Sequence, residues 1–384
     1  MKKVLFGLAS MRAGGSATSL LNLLSLYKGN GCSIDLFLLE HDGAFLDRAA
    51  EVANLLPEES VIASIRCTKD KLKKRGLKSQ LIRISYVILH KIFGIRRTDR
   101  WFYSFSARKL KGYDIVVAFQ EGITTKYMQY VLAKKRVAWC HMDYDSFSVN
   151  ISREDQQRLY DCFEDIACVS TVVQRSMLEN LRLRPDRVNL VYNTIPPLFI
   201  RQKAQEPVES IRKRTYSFIS MGRFVKRKGF DRVVYAAARL VEQGVDFAWY
   251  IIGDGEEFAN ISEQVVQHKL EDHVILMGIR KNPFPYIAQA DCFVMSSESE
   301  AQPMVLNEAL TLGIPAITTD FSSSREVVKD GVNGLIVPNH AEGLLTGVLR
   351  YISNAELQQT IKVGAAEFVY DNDTILRQVS SLMN

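Results

Sequence analysis

Short apolar runs alternate along the chain with longer amphipathic stretches, the switching of period that marks α/β organisation. Residues 4–8 predict a first buried strand. A turn at Ala13-Gly14-Gly15-Ser16 follows, then a helix over 18–27 with Leu20, Leu23, Leu24 and Tyr27 on one face. Further strands are expected at 34–39, 114–119, 136–140, 165–169 and 188–192, with a helix over 171–181 between the last two. The alternation breaks at Asn193-Thr194-Ile195-Pro196-Pro197, since paired prolines cannot continue a helix or a central strand. A polar, charged stretch over 201–214 follows. A second alternation then predicts strands at 216–221, 248–252, 274–277, 291–295, 316–319 and 335–337. Its helices fall at 230–242, 257–268, 304–312 and 341–352, with two closing helices over 355–370 and 373–383.

The expected architecture is α/β, with two Rossmann-like doubly wound lobes facing across a cleft. Residues 1–195 form the first lobe, on the acceptor side, and 196–365 the second, on the donor side. A terminal helical segment, 366–384, is placed to return to the first lobe. A chain of 384 residues suits two domains. In such sheets ligands bind outside the carboxyl ends of the strands.

Composition narrows this little: 47% hydrophobic and 24% charged residues are ordinary for a globular protein. The six cysteines are scattered and form no Cys-x-x-Cys pair, which points to reduced thiols in a cytoplasmic setting rather than zinc or disulfides. Lys2-Lys3 before an apolar run has the outline of a short signal peptide. Gly7 and the early Arg12 fit a buried strand running into a glycine loop better.

Charge is unevenly placed. Between Arg66 and Lys111 stand fifteen Lys and Arg against two acids, a local +13 in a chain of net +6, so the remainder carries −7. Lys71, Lys73, Lys74, Arg75 and Lys78 precede an apolar run over 81–89. That order fits a surface lying on an anionic membrane, through residues 66–111. It fits equally a core helix of the first lobe with a solvated basic flank. The segment carries no recognised nucleic-acid module, so no nucleic-acid partner is expected.

The chemistry concentrates between Met221 and Pro338. Gly222-Arg223-Phe224-Val225-Lys226-Arg227-Lys228-Gly229 links a strand to a helix, so Arg223 and Lys228 sit where an anion would lie: Arg offers a two-donor grip, Lys a mobile charge. Gly253 and Gly255, in Gly253-Asp254-Gly255, permit either a close approach to a ligand or simply a tight turn. A dinucleotide fingerprint would need glycine at 258, where Phe stands. Glu300-Ala301-Gln302-Pro303-Met304-Val305-Leu306-Asn307-Glu308 opens a helix at Pro303. This leaves N–H groups of Met304, Val305 and Leu306 free to face an anion, flanked by two carboxylates. Carboxylates accept sugar hydroxyls well. The arrangement suits a nucleotide sugar, hydroxyls on both sides of a phosphate.

Together the Glu-x7-Glu pattern, the Gly-Arg-x4-Lys-Gly loop, the Gly-Asp-Gly turn, Gly313-Ile314-Pro315-Ala316 and Asp330-Gly331-Val332-Asn333-Gly334 resemble the retaining glycosyltransferases of family 4, which have the GT-B fold. The resemblance implies that Glu308 binds the ribose, Glu300 the donor sugar, and Arg223 and Lys228 the departing diphosphate. It also implies that no metal or other cofactor is needed. Gly14 and Gly15 resemble the family's glycine loop near the donor phosphates, and His141 its active-site histidine. Asp143 is a candidate to orient His141, and Gln120-Glu121-Gly122 a candidate acceptor contact.

The chain departs from the family at Ala301-Gln302, at Ser16-Ala17-Thr18-Ser19 and at Ser322-Ser323-Ser324. These positions bear on sugar identity and acceptor contacts. The implied activity is transfer from a nucleotide diphosphate sugar, a UDP-sugar foremost, to a glycan or lipid-linked acceptor at the inner membrane face. The alternatives are another GT-B enzyme, such as an epimerase or phosphorylase, and a non-catalytic lipid- or partner-binding protein.

Overall fold

A computed structural model describes residues 1–12, 14–27, 31–147, 151–211 and 214–384. The chain divides into two compact units, Met1–Thr194 with Asn372–Asn384, and Ile195–Asp371.

The first unit holds a seven-stranded parallel sheet: β1 (Lys2–Leu8), β2 (Cys32–Leu38), β3 (Asn54–Leu55), β4 (Tyr113–Ala118), β5 (Ala133–Cys140), β6 (Asp165–Cys168) and β7 (Val188–Leu190), in the order β3-β2-β1-β4-β5-β6-β7. The second holds six parallel strands: β8 (Tyr216–Met221), β9 (Phe247–Ile252), β10 (Val274–Gly278), β11 (Cys292–Met295), β12 (Ala316–Thr319) and β13 (Gly334–Val337), in the order β10-β9-β8-β11-β12-β13. The central strands are buried along most of their length, as parallel sheets covered on both faces require. All six residues of β9 lie in the core. Two doubly wound sheets is the fold the alternation predicts.

Each order reverses once, between β1 and β4 in the first unit and between β8 and β11 in the second. At such a switch point the two outgoing loops diverge and leave a crevice beyond the strand ends. Four helices matter to the sites: α1 (Gly15–Leu26) after β1, α2 (Leu77–Ala107) before β4, α3 (Phe230–Glu242) after β8, and α4 (Met304–Thr311) after β11. A fifth, α5 (Asn372–Leu382), belongs to the first unit. There Lys2 Nζ donates to the carbonyl of Met383 at 3.1 Å.

Several local expectations change. β5 begins three residues early, because Lys134 and Lys135 pair with Asp114 of β4 and Asp165 of β6, each at 2.8 Å, and so remain in the sheet. Pro197 does not only break the pattern. It opens a helix over Pro197–Ala204, in the first turn, where its missing N–H costs nothing. α4 starts at Met304 with Pro303 as its cap. Ala13, in the predicted glycine turn, and positions 212 and 213, in the polar stretch, lie outside the described residues.

The largest difference concerns the basic segment. α2 is broken at Gly94, whose φ of 78° is not helical, and the two halves meet: Tyr86 Oη donates to Asp99 Oδ1 at 2.6 Å, and its ring lies 5.3 Å from that of Phe102. The second half contributes Thr98, Tyr103, Ser106 and Ala107 to the interior. The first half, 77–93, contains no buried residue, so the core-helix alternative fails for it.

Candidate active site

In the second unit the loop leaving β8 is laced to its neighbours on both sides. Towards β9, the Gly222 N–H donates to Ile252 O at 3.0 Å, the Phe224 N–H to Asp254 O at 2.9 Å, and the Glu257 N–H to Phe224 O at 2.9 Å. Gly253 and Gly255 exist for this contact. A Cβ at 253, where φ is 144°, would lie 1.9 Å from Gly222 O, and one at 255 would lie 2.4 Å from Phe224 O. Both glycines therefore admit the Gly222–Phe224 backbone, and their role is to fix the base of the Arg223 loop.

Towards β11, Ser296 Oγ donates to Lys228 O and the Glu298 N–H to Arg227 O, both at 2.8 Å. Gly229, at φ 64°, passes so close that a Cβ would meet Ser296 O at 2.3 Å. Arg232 on α3 braces the same loop, through Ser296 O and Glu298 Oε1, each at 3.2 Å.

The loops bring Lys228 and Glu300 together, Nζ to Oε1 at 2.6 Å, with side chains only 15% and 10% exposed. The contact is a close ion pair; its alignment falls short of a hydrogen bond, and Oε1 has no other partner among the described residues. Arg227 joins from the solvent side at 3.6 Å and also donates to Ser299 O. Sequence spacing singled out Arg223 and Lys228 and missed Arg227; its only signal was the basic run 226–228. Arg223, in the same loop as Lys228, is exposed. A Cβ at Gly222 would make only ordinary contact with Lys228, 3.4 Å from Cδ and Cε.

The departures from the family pattern take part in this scaffold. Ser323 Oγ donates to Glu300 O at 2.7 Å, and Gln302 Nε2 to Tyr370 Oη at 3.0 Å. Beyond them, the Met304 N–H is spent on Gln302 O and that of Leu306 on Pro303 O. Of the three expected free donors only the Val305 N–H has no backbone partner among the described residues. One turn on, Glu308 is buried at 7% exposure without a side-chain partner among the described residues, and burial alone pushes its carboxyl up to about 7.

The first unit gathers a second group at the neighbouring ends of β4 and β5, beside its switch point. Glu121, in the loop after β4, is buried, and its Oε1 accepts the N–H groups of His141, after β5, and of Met142, the latter at 2.7 Å. Burial pushes this carboxyl up to about 7, against the pull of those N–H groups. His141 lies against the Phe119 ring at 4.9 Å. Its Nε2 is buried without a partner, and burial holds the imidazole down to about 4, against a hydrogen bond with the Phe119 backbone, so it is neutral near pH 7. Asp143 does not orient it: both its oxygens are taken by Ser146, each at 2.9 Å. Glu121 does that positioning through the backbone. Gly14 caps α1 and Gly15 opens it. A Cβ at Gly14 would meet only Arg12 O at 3.9 Å, and at Gly15 nothing within 4 Å, so protein packing does not demand either glycine.

Comparison with known proteins shows what the chain is similar to. The family model for glycosyl transferases group 1 matches residues 201–368, the stretch that holds Arg223, Lys228, Glu300 and Glu308. The chain is similar in part to the lipopolysaccharide core biosynthesis glycosyltransferase LpsE of Rhizobium meliloti, at 35% identity over 36% of this chain and 40% of that one. A longer match is to a lipopolysaccharide 1,6-galactosyltransferase of Salmonella typhimurium, 26% identical over 79% of this chain and 84% of the relative. Across the first curated relatives, the chain spans about half of their length, between 40% and 55%. Among solved structures, Anabaena HepE in complex with UDP-glucose has a similar fold. The TM-score is 0.73 at 18% identity, over 100% of this chain and 99% of that one.

Proposed function

We propose that the protein is a retaining glycosyltransferase that moves a sugar from a UDP-sugar to a glycan or lipid-linked acceptor, without a metal. The observation that carries this is Glu308: a buried carboxyl with no side-chain partner among the described residues, one turn beyond the Val305 N–H and in the same segment as Glu300, which pairs with Lys228. A buried carboxylate is costly unless something donates to it, and ribose hydroxyls do. A nucleotide sugar offers the remaining partners: diphosphate for Arg223, Lys228 and the Val305 N–H, and sugar hydroxyls for Glu300.

In this mechanism the acceptor hydroxyl attacks the anomeric carbon from the face the diphosphate leaves. The carbon–phosphate-oxygen bond breaks, the carbon–acceptor bond forms, and the acceptor proton passes to the departing phosphate oxygen. Positive charge from Arg223 and Lys228, with Arg227 in support, meets the charge that develops on that oxygen. On the first unit, His141 supplies a neutral imidazole for hydrogen bonding. Similarity to lipopolysaccharide glycosyltransferases supports the acceptor class, and similarity to a UDP-glucose-binding fold supports the donor.

The test is thermal denaturation with UDP, GDP and ADP and their sugar conjugates. A ligand at about 100 times its Kd stabilises by about 2.7 kcal/mol, and Glu308→Ala and Lys228→Ala should lose that gain. A wild-type protein that none of these ligands stabilises would remove the donor assignment.

A further inference from the structure

The first half of α2 is apolar on two sides. Its inner side, with Ile82, Tyr86 and Leu89, is half-buried towards the unit. Its outer side carries Leu77, Leu81, Ile84, Ile88 and Ile92, between 50% and 78% exposed. Their spacing of four, three, four and four residues aligns them in one stripe, opposite the inner side. Past the Gly94 break, Trp101 and Phe105 add exposed aromatic area at 45% and 59%. Contiguous apolar area of this kind marks a contact surface.

Charge identifies what covers it. Around the helix, Lys78 borders the stripe on one side and Lys91 on the other. Lys71, Arg75 and Arg96 are committed to the body, through ion pairs with Asp42, Glu58 and Asp155. Exposed Lys73, Lys74, Lys78, Lys91, Arg97 and Arg100 make no ion pair among the described residues. A second copy docking face to face would set these cations against their own images. Lipid phosphates would meet them, while the stripe enters the acyl boundary.

We propose that the outer face of residues 77–93 docks the protein on an anionic lipid bilayer, lying in its surface plane. The helix does not cross it: no helix among the described residues is long and apolar enough to do so. The inference stands apart from the transfer reaction, since it concerns where the first unit rests.

The test is co-sedimentation of the full chain with vesicles of phosphatidylcholine alone, and with roughly one-third phosphatidylglycerol. Binding is expected only to the anionic vesicles and falls with salt. The triple variant Leu81→Ser, Ile84→Ser, Ile88→Ser should weaken it about ten-fold or more. Replacing Lys73, Lys74, Lys78 and Lys91 with Gln should weaken it similarly and flatten the salt dependence. Leu132→Ser, exposed elsewhere on the unit, should leave it unchanged. All these side chains are exposed, and unchanged circular dichroism verifies that each variant is folded. Equal binding to neutral vesicles, absent binding, or binding indifferent to the triple variant overturns the proposal. So does a dimer in sedimentation velocity that the triple variant dissolves, which would assign the stripe to self-association.

Discussion

Lys228 and Glu300 come from different loops of the second unit, yet their charged atoms meet at 2.6 Å in a nearly solvent-free setting. The loops do this because Gly229 lets one backbone pass against Ser296 of the other. The pair neutralises itself in the free protein, and a phosphate-bearing sugar offers each member a replacement partner.

Lys228→Ala should therefore lower kcat by about 10²–10³, the usual effect of losing one donor to a developing oxyanion. Glu300→Gln should lower kcat/KM and relax the choice of sugar. The two effects should not add, because each single change also strands the other charge. Steady-state kinetics on both single variants and the double variant measure the coupling, and strict additivity would contradict a shared site.

Glu308 makes stability depend on pH. Its folded value of about 7 lies above the value of an unfolded glutamate, so the folded state holds the proton more tightly. Stability is then lost as pH rises from about 4 towards 7, by about 3 kcal/mol. Glu308→Gln should recover most of that loss above pH 7 while abolishing nucleotide binding. Urea denaturation at pH 5 and pH 8 gives the first result and calorimetry with UDP the second. Glu121 adds a loss of the same sign over the same range, so its Gln variant serves as the comparison.

His141 has the opposite sign. Its folded value of about 4 lies below that of a free histidine, so its neutral form is favoured by folding. That contribution is complete above about pH 6.5 and is lost as pH falls towards 4. The His141 ring proton resonance should show no titration between pH 6 and 8. A midpoint near 6.5 would mean the ring is not buried as described. Glu121→Ala should disturb that resonance, and Asp143→Ala should not.

Gly253→Ala should be severe, since the added methyl carbon would fall 1.9 Å from Gly222 O at a φ that disfavours any side chain. We expect a loss of about 2 kcal/mol or more, together with weaker nucleotide binding, because the Arg223 loop must shift. Gly244→Ala shares a positive φ but meets nothing within 4 Å, and should cost only about 1 kcal/mol without touching binding. Equal effects at the two positions would show that strain, not loop contact, is the cause.

Both sheets, apart from the two-residue β3, and most of the second unit's candidate site were legible because their signals are local. Buried parallel strands read as apolar runs, and the Glu300–Glu308 segment is continuous in sequence. The first unit hid more. Residues 46–107 fold into short helices and a broken hairpin whose apolar residues lie on two sides, so no single periodic face stands out. Glu121 carried no local sign of its role, which arises only when the fold sets the ends of β4 and β5 side by side. Ser323 read as a deviation from the family, and its use, holding the Glu300 carbonyl, depends on a partner 23 residues away.

The division of the chain has a consequence for the order of assembly on the ribosome. The second unit is one uninterrupted stretch, Ile195–Asp371, and can close as soon as that stretch emerges. The first unit needs α5, whose residues follow the whole of the second unit in the chain, and holds Lys2 against Met383. Domains usually mature in the order of synthesis. Of the two units, the one begun earlier is completed later.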